Sequence, residues 1–394
     1  MPAVVLARDL ARHLRLGHPW IYLQALAGVP SGLASGAIVD VVDGQRQFVA
    51  RGFYDPGGPI AVRVLTLDEG EAIDADFIAA RVASACAVRR AARHLIDSDA
   101  LRLLHGEADR LPGLVLDCYG TAGVMRFDGA AAEAAWRPHV AAVVAAAEAG
   151  GFPLAQVWAR GAEGRRGPGS ALVGPAPTVP VTMREGAARY EVDLVAGQKT
   201  GFFLDQRENR RLVGSLADGA AVLNLYGYTG GFSVSAALGG ARHVTTVDLA
   251  GPAIAAATRN FALSGVTSTP HEPVVGDVFE YLAAARARGQ LWDIVVCDPP
   301  SFAPSERALP QALAAYRRLH RAAAEVVAQG GLLAVASCSS HLRERDFHQT
   351  IADGLAAAGR IGKLVTVGGA GPDHPVVPAF PEGRYLKFAL LALA

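Results

Sequence analysis

From Ala221 onward the chain alternates short apolar runs with helical stretches, and this alternation constrains the fold more than any other feature of the sequence. The apolar runs are Ala221 to Leu225, Val244 to Val247, Val274 with Val275, Ile294 to Val296 and Leu332 to Ala336. Between them lie segments of helical spacing, one from Phe232, one near Ile254 to Leu263, one from Val278 and one over Ala312 to Val327. Strands that are apolar along their whole length and separated by helices predict a parallel sheet covered on both faces. Such sheets bind ligands beyond the carboxyl ends of their strands, where the strand order reverses. The residues that follow each apolar run are therefore the first candidates for chemistry.

At 394 residues the chain is too long for one ordinary domain, and two or three are expected. Residues 1–70 carry β-branched runs at Ala37 to Val42, Phe48 to Phe53 and Ile60 to Leu65, separated by Asp43-Gly44 and Asp55-Pro56-Gly57-Gly58, which predicts a small all-β module. From Glu71 the spacing of Phe77, Ile78, Val82, Ala85, Val88 and Leu95 is helical. Strand-like Leu101 to Leu104, Leu114 to Leu116 and Val124 to Phe127 follow, then an alanine-rich helix around Ala130 to Ala149. Residues 71–185 thus read as a small α+β domain, with residues 186–394 as the α/β domain. A hairpin of Val181 to Arg184 and Tyr190 to Val195 is expected to turn at Glu185-Gly186, preceded by a glycine- and arginine-rich loop over Gly161 to Gly169.

Charge and cysteine content exclude more than they suggest. The 37 basic and 37 acidic residues cancel, so any nucleic-acid surface must come from local asymmetry. Such asymmetry is present near the start, where Arg8, Arg12 and Arg15 precede His18 and Trp20; a cationic edge beside aromatic groups suits a phosphate backbone, and equally a solvated face beside a core tryptophan. Cys86, Cys118, Cys297 and Cys338 include no C-x-x-C pair, so neither a zinc site nor a disulfide framework is indicated. No metal is expected. Arg8, Asp9, Arg12, His13 and Arg15 interrupt any signal-peptide core, and no run of about 18 uncharged apolar residues follows. The expectation is a cytoplasmic protein without a membrane partner.

The ends of the apolar runs carry distinctive residues. After the first comes Tyr226-Gly227-Tyr228-Thr229-Gly230, whose small residues permit a sharp strand-to-helix turn and close approach of a ligand. It is not the G-x-G-x-x-G of dinucleotide enzymes, which weakens a nicotinamide or flavin reading. Asp248 ends the second run, where a carboxylate can accept both hydroxyls of a ribose, or simply cap a helix. Asp277 after the third could meet a base or cap the next helix. The fourth ends in Cys297-Asp298-Pro299-Pro300-Ser301-Phe302. Its two prolines lack N–H donors and favour an extended rim, leaving carbonyls and the Asp298 carboxylate to grip an amide-like edge such as cytosine N3 and N4. The fifth continues into Ser337-Cys338-Ser339, placing a thiol on the neighbouring strand end. Cys338 is either a nucleophile or an inert buried thiol.

Over essentially its whole length the sequence resembles class I S-adenosylmethionine-dependent RNA methyltransferases, specifically the bacterial 23S rRNA cytosine-C5 methyltransferases with an N-terminal PUA domain. The resemblance rests on Gly17-His18-Pro19-Trp20-Ile21, Gly106-Glu107-Ala108-Asp109 with Leu111-Pro112-Gly113-Leu114, and Gly197 through Lys199 and Phe203 to Asp205-Gln206-Arg207. It continues through Tyr228 to Phe232, Asp298 to Phe302, Ser337 to Ser339, Asp373-His374-Pro375 and Pro381 to Lys387. Two departures stand out: Cys118 and Ser301 occupy positions where the family often has arginine and lysine, respectively. The resemblance implies a β-barrel PUA module binding structured RNA and a Rossmann-like methyltransferase domain whose seven-stranded sheet ends in an antiparallel strand. It also implies that Lys199, Phe203, Asp205, Gln206 and Arg207 cover S-adenosylmethionine, that the Tyr226 to Gly230 turn holds its methionine part, and that Asp248, Asp277 and Asp298 complete the pocket. Arg8, Arg12, Arg15, His18, Trp20, Pro299, Pro300 and Phe302 would meet substrate RNA, 23S rRNA or its large-subunit precursor. A homodimer is a further expectation. Cytosine C5 is a poor nucleophile, so Cys338 would add at C6 while Asp298 binds N3 and N4. Asp298-Pro299-Pro300 also resembles enzymes that methylate a base nitrogen, and a non-catalytic RNA-binding or ribosome-assembly factor is the remaining reading.

Overall fold

The computed structural model describes residues 1–160 and 169–394, so the loop expected over residues 161–169 lies, Gly169 apart, outside the described residues. The chain divides into two units. The first comprises Met1–Met183, Val192–Leu204 and Pro372–Gly383; the second comprises Arg184–Glu191, Asp205–Gly371 and Arg384–Ala394.

The first unit opens with β1 (Ala3–Leu6), α1 (Ala11–Arg15), β2 (Trp20–Tyr22), β3 (Leu26–Gly28), β4 (Ile38–Val42), β5 (Phe48–Tyr54) and β6 (Ile60–Thr66). Its strands form a six-stranded sheet in the order β2-β6-β5-β4-β1-β3, packed over Val4, Leu14, Ile21, Val39, Val41 and Val62. Next come α2 (Ala75–Ala91), β7 (Ala100–His105), β8 (Leu114–Tyr119), β9 (Ala122–Phe127), α3 (Gly129–Trp136), α4 (Val140–Ala149), β10 (Gln156–Arg160) and β11 (Ser170–Val173). The Asp74 carboxylate starts α2 by accepting the Phe77 amide at 3.0 Å, and the helix buries Phe77, Ile78, Val82, Ala85 and Cys86 against the five-stranded sheet β11-β10-β9-β8-β7. Phe53 and Leu65 of the first sheet share that core.

Two local expectations need correction. The alanine-rich helix is broken into α3 and α4 by a 3-10 turn over Arg137–His139, because Pro138 supplies no amide for a continuous helical ladder. The hairpin consists of β12 (Val181–Glu185) and β13 (Ala188–Val192), and its second strand stops short of Val195. Asp193 Oδ1 there accepts the amides of Val195 and Ala196 at 2.9 and 2.8 Å, drawing the backbone into a turn.

The second unit contains α5 (Arg207–Ser215), β14 (Ala221–Leu225), α6 (Gly231–Leu238), β15 (His243–Asp248), α7 (Gly251–Leu263), β16 (His271–Val275), α8 (Val278–Ala287), β17 (Trp292–Cys297), α9 (Leu309–Ala324), β18 (Val327–Ser337), α10 (Glu344–Ala357), β19 (Gly362–Gly368) and β20 (Lys387–Leu393). Its seven strands order as β16-β15-β14-β17-β18-β20-β19, parallel except for β20, which runs antiparallel to both neighbours. The parallel sheet expected from the apolar runs is thus observed, together with the antiparallel strand that the resemblance implied. Every residue of β14 is buried, and Leu223, Leu225, Val295, Leu333, Val335 and Ala389 join Tyr316 and Leu319 of α9 and Phe347 of α10 in one core. The strand order reverses between β14 and β17, so the crevice of this sheet opens at the carboxyl ends of those strands.

Candidate active site

The loop after β14 is tightly constrained. Tyr226 and Tyr228 take φ of 58° and 47°, a left-handed conformation that costs a non-glycine residue roughly 1–2 kcal/mol. Gly227 is required by packing: a Cβ there would lie 2.4 Å from Thr246 Cγ2 of β15. Gly230, at φ 82°, comes close to α7, where a Cβ would meet that of Ala257 at 2.8 Å. Small residues and strained tyrosines together fold the turn tightly back on the sheet.

Asp248 stands half-buried at the end of β15 and fastens this turn, its Oδ2 accepting the Tyr228 amide at 2.9 Å and its Oδ1 the Ala250 amide at 2.9 Å. Each carboxylate oxygen retains capacity to accept a second hydrogen bond, the donor chemistry of a ribose diol. Asp277 caps α8, its Oδ1 accepting the amides of Phe279 and Glu280 at 2.8 and 3.1 Å. Sequence reasoning passed over Leu249, which follows Asp248 and is 73% exposed, and Val275, the last residue of β16, which is 58% exposed. Two exposed apolar side chains beside a carboxylate fit a nucleoside, whose ring is flat and whose sugar carries hydroxyls. The signal available was their position alone.

On the other side of the reversal, Asp298 follows β17 and accepts Gln206 Nε2 at 3.0 Å. Gln206 is oriented in turn by Asn209, whose Nδ2 donates to Gln206 Oε1 at 2.6 Å and to the Gly369 carbonyl at 3.2 Å. Asp205, also buried, accepts the Tyr385 hydroxyl at 2.6 Å, and buried Arg207 lies 3.9 Å from Glu185. Pro299 is buried, whereas Pro300 is exposed and Phe302 is half-buried, its ring 4.9 Å from Tyr316.

Cys338 follows β18, the strand paired to β17 through Cys297 and Val335. Its side chain is half-buried, whereas Cys86, Cys118 and Cys297 are buried. Burial pushes all three of those thiols up, which keeps them protonated and inert. Around Cys338 runs a hydroxyl network: Tyr316 is hydrogen-bonded to Ser337 at 2.8 Å and Ser339 at 3.1 Å, and Ser339 to Ser301 at 2.9 Å. Ser301, which departs from the lysine common at its position, therefore links the two strand ends. Asp298 and Cys338 thus occupy neighbouring carboxyl ends of the same sheet.

The other expected residues belong to the first unit. Lys199, at φ 55°, places its ammonium 5.5 Å from the centre of the Phe203 ring. Arg8, Arg12 and Arg15 are exposed. His18 is 4% exposed, and half-buried Trp20 donates its indole N–H to Glu107 at 2.9 Å while its ring packs 4.6 Å from Phe380. Among the described residues no cluster of three or more His, Cys, Asp or Glu could hold a metal, and no helix is long and apolar enough to cross a membrane.

Comparison with known proteins gives consistent matches. The S-adenosylmethionine-dependent methyltransferase family matches residues 167–349 and a PUA-like domain family matches residues 4–67. A ribosomal RNA large subunit methyltransferase of Deinococcus radiodurans is 37% identical over 97% of this chain and 95% of its own length. A ribosomal RNA large subunit methyltransferase I of Klebsiella pneumoniae is 35% identical, covering 98% of this chain and 97% of that protein. A solved SAM-dependent methyltransferase from Streptococcus mutans shares the fold with a TM-score of 0.86 at 23% identity, covering 100% of both chains. A second solved methyltransferase, complexed with SAH, superimposes with a TM-score of 0.87 at 23% identity, again over 100% of both chains.

Proposed function

This chain belongs to the family of S-adenosylmethionine-dependent large-subunit ribosomal RNA methyltransferases that carry a PUA-like domain, and from that premise we propose that it methylates carbon 5 of a cytosine in 23S rRNA through a covalent adduct at Cys338. The observation that carries the reading is the juxtaposition of a half-buried thiol and an oriented carboxylate at the ends of the adjacent parallel strands β18 and β17. In this reading residues 1–70 form the RNA-binding module, residues 71–185 the central domain and residues 186–394 the catalytic domain.

S-adenosylmethionine, when bound, supplies an electrophilic methyl group on a positively charged sulfur. Asp248 would hold its ribose, Leu249 and Val275 would border its base, and the Tyr226 to Gly230 turn would lie along its methionine part. Lys199, Phe203, Asp205, Gln206 and Arg207 would cover it. The exposed Arg8, Arg12 and Arg15 would meet phosphates, with Pro299, Pro300 and Phe302 beside the target base. Bringing a paired cytosine to Cys338 requires extruding it, at a cost of a few kcal/mol, roughly.

The Cys338 thiolate forms a bond to C6, and the electrons of the C5–C6 double bond become available at C5. Asp298 accepts a hydrogen bond from N4 and shares a proton with N3 as negative charge develops there. After C5 takes the methyl group, a base removes the C5 proton; those electrons restore the double bond as the sulfur–C6 bond breaks and its pair returns to Cys338. Gln206, fixed by Asn209, keeps Asp298 directed throughout.

The test is transfer of labelled methyl to unmodified bacterial rRNA by wild type and Cys338→Ala, followed by digestion to nucleosides. Label in 5-methylcytosine, abolished in the variant, is expected. Label in another nucleoside, or full activity of Cys338→Ala, would move the assignment to a base nitrogen.

A further inference from the structure

The antiparallel strand of the sheet delivers a group that the mechanism above leaves unused. β20 starts at Lys387, whose partner across the ladder is Ser337, the last residue of β18. From there Lys387 Nζ donates to the Ser339 carbonyl at 2.6 Å and to the Tyr385 carbonyl at 2.9 Å. Ser337 and Ser339 flank Cys338, so this lysine is pinned to the same strand end as the sulfur. Its residue is 7% exposed, and among the described residues no carboxylate forms an ion pair with it.

A buried ammonium is costly unless its N–H groups are bonded and its charge is answered. Two carbonyls satisfy two of its three donors but supply no net negative charge. The groups whose fields reach Lys387 are Cys338, more strongly, and Glu344 in the first turn of α10. From α9, Tyr316 also faces Cys338, but burial pushes its phenol up and keeps it neutral. The principal counter-charge open to this lysine is therefore a thiolate.

We propose that Lys387 is the cation that holds Cys338 ionised, a positioning residue acting through the sulfur rather than by touching the base. The proposal rests on the reading of Cys338 as nucleophile. In the step concerned, the S–H bond breaks, the proton leaves to solvent, and the electron pair remains on sulfur beside an ammonium that keeps its own three protons. Elimination of product then returns a thiolate needing no further deprotonation. Burial lowers the Lys387 ammonium to about 8, with Cys338 the leading influence in the opposite direction; a thiolate and an ammonium so placed stabilise each other's charged form.

The experiment follows alkylation of Cys338 by iodoacetamide against pH in the full-length protein, by mass of the Cys338 peptide, with the three buried thiols as internal references. Wild type is expected to show a midpoint below the ordinary thiol value of about 8.5. Lys387→Met and Lys387→Gln should each raise it by about one pH unit or more, roughly a ten-fold slower reaction at pH 7, and Lys387→Arg should recover most of the loss. Gln retains a donor for the carbonyls and reads the charge if the Met variant fails to fold. A wild-type midpoint at or above 8.5, or an unchanged midpoint in a folded neutral variant, overturns the proposal. Methyl transfer by Cys338→Ala tests the nucleophile separately: retained activity removes the covalent reading, whereas an unmoved titration removes only the role of Lys387.

Discussion

Asp248 ties Tyr228 and Ala250 to the sheet, and in the proposed reading the same carboxylate also holds the ribose of S-adenosylmethionine. Asp248→Ala is expected to weaken binding of S-adenosylhomocysteine about 10- to 100-fold, the loss of one or two charge-assisted hydrogen bonds, by isothermal titration. Unchanged affinity in a folded variant would remove the ribose assignment. The place of this residue at a strand end was readable in the sequence, because it closes a continuous apolar run about twenty residues after a glycine-containing turn. The left-handed Tyr226 and Tyr228 were not readable, since a bulky residue at positive φ is imposed by the surrounding fold and not by its own preference. Lys387 lay in plain view within Arg384-Tyr385-Leu386-Lys387, yet its approach to Ser339 depends on which strand neighbours β18, and local pattern carries no such information.

At the scale of elements, α9 shows what tight packing does to a titratable group. Its apolar stripe of Ala312, Tyr316, Leu319 and Ala323 includes His320, which is 1% exposed and whose Nδ1 has no hydrogen-bond partner among the described residues. Gly354 lets α10 approach, for a Cβ there would meet His320 Cβ at 2.7 Å. Burial lowers His320 from 6.5 to about 4, so the folded protein keeps it neutral where the unfolded chain would protonate it. Its effect on stability is nil above pH 6.5; stability is lost as pH falls from 6.5 to about 4, by up to about 3 kcal/mol, and no more is lost below. Urea unfolding of wild type and His320→Gln at pH 7, 5.5 and 4.5 should give a stability difference that shrinks with acidity. A constant difference would show that His320 is not a neutral buried group. The helix itself was legible from its period, as were β14, β15 and β17 from continuous apolar runs. By contrast β19 exposes Lys363, Leu364, Val365 and Val367, so neither alternation nor a solid apolar run marked it as a strand.

At the scale of the molecule, the first unit gathers residues from three separate stretches of chain, and this decides how RNA binding can be examined. Asp373, far along the sequence, accepts the Arg102 amide at 2.9 Å and through its carbonyl the Arg89 guanidinium at 2.9 Å. Arg89 also holds buried Asp109 with two hydrogen bonds of 2.6 and 2.8 Å, so one guanidinium ties together two of the family-like motifs, those of Asp109 and Asp373, as internal structure. Within the same unit, Arg63 of β6 binds Glu107 and Asp128, and Phe53 and Leu65 lie in a core shared with α2 and β8. Deleting residues 1–70 would therefore strip apolar packing and leave Glu107 without its cation, confounding a defect in RNA binding with a defect in folding. Sequence periodicity marked out β4, β5 and β6 but not the short β1, β2 and β3, and it could not reveal the shared core, which is a property of pairing over long range. The sharper test uses the exposed arginines. Since the whole chain carries no net charge, its attraction for phosphates must be local, and Arg8, Arg12 and Arg15 are three cations open to solvent on one short stretch. Replacing all three by alanine should weaken rRNA binding at low salt and flatten the dependence of log affinity on log salt by about 1 for each phosphate no longer neutralised, while S-adenosylhomocysteine affinity and the melting temperature hold. An unaltered salt slope would mean that these arginines form a solvated face and that the phosphates are held elsewhere on the chain.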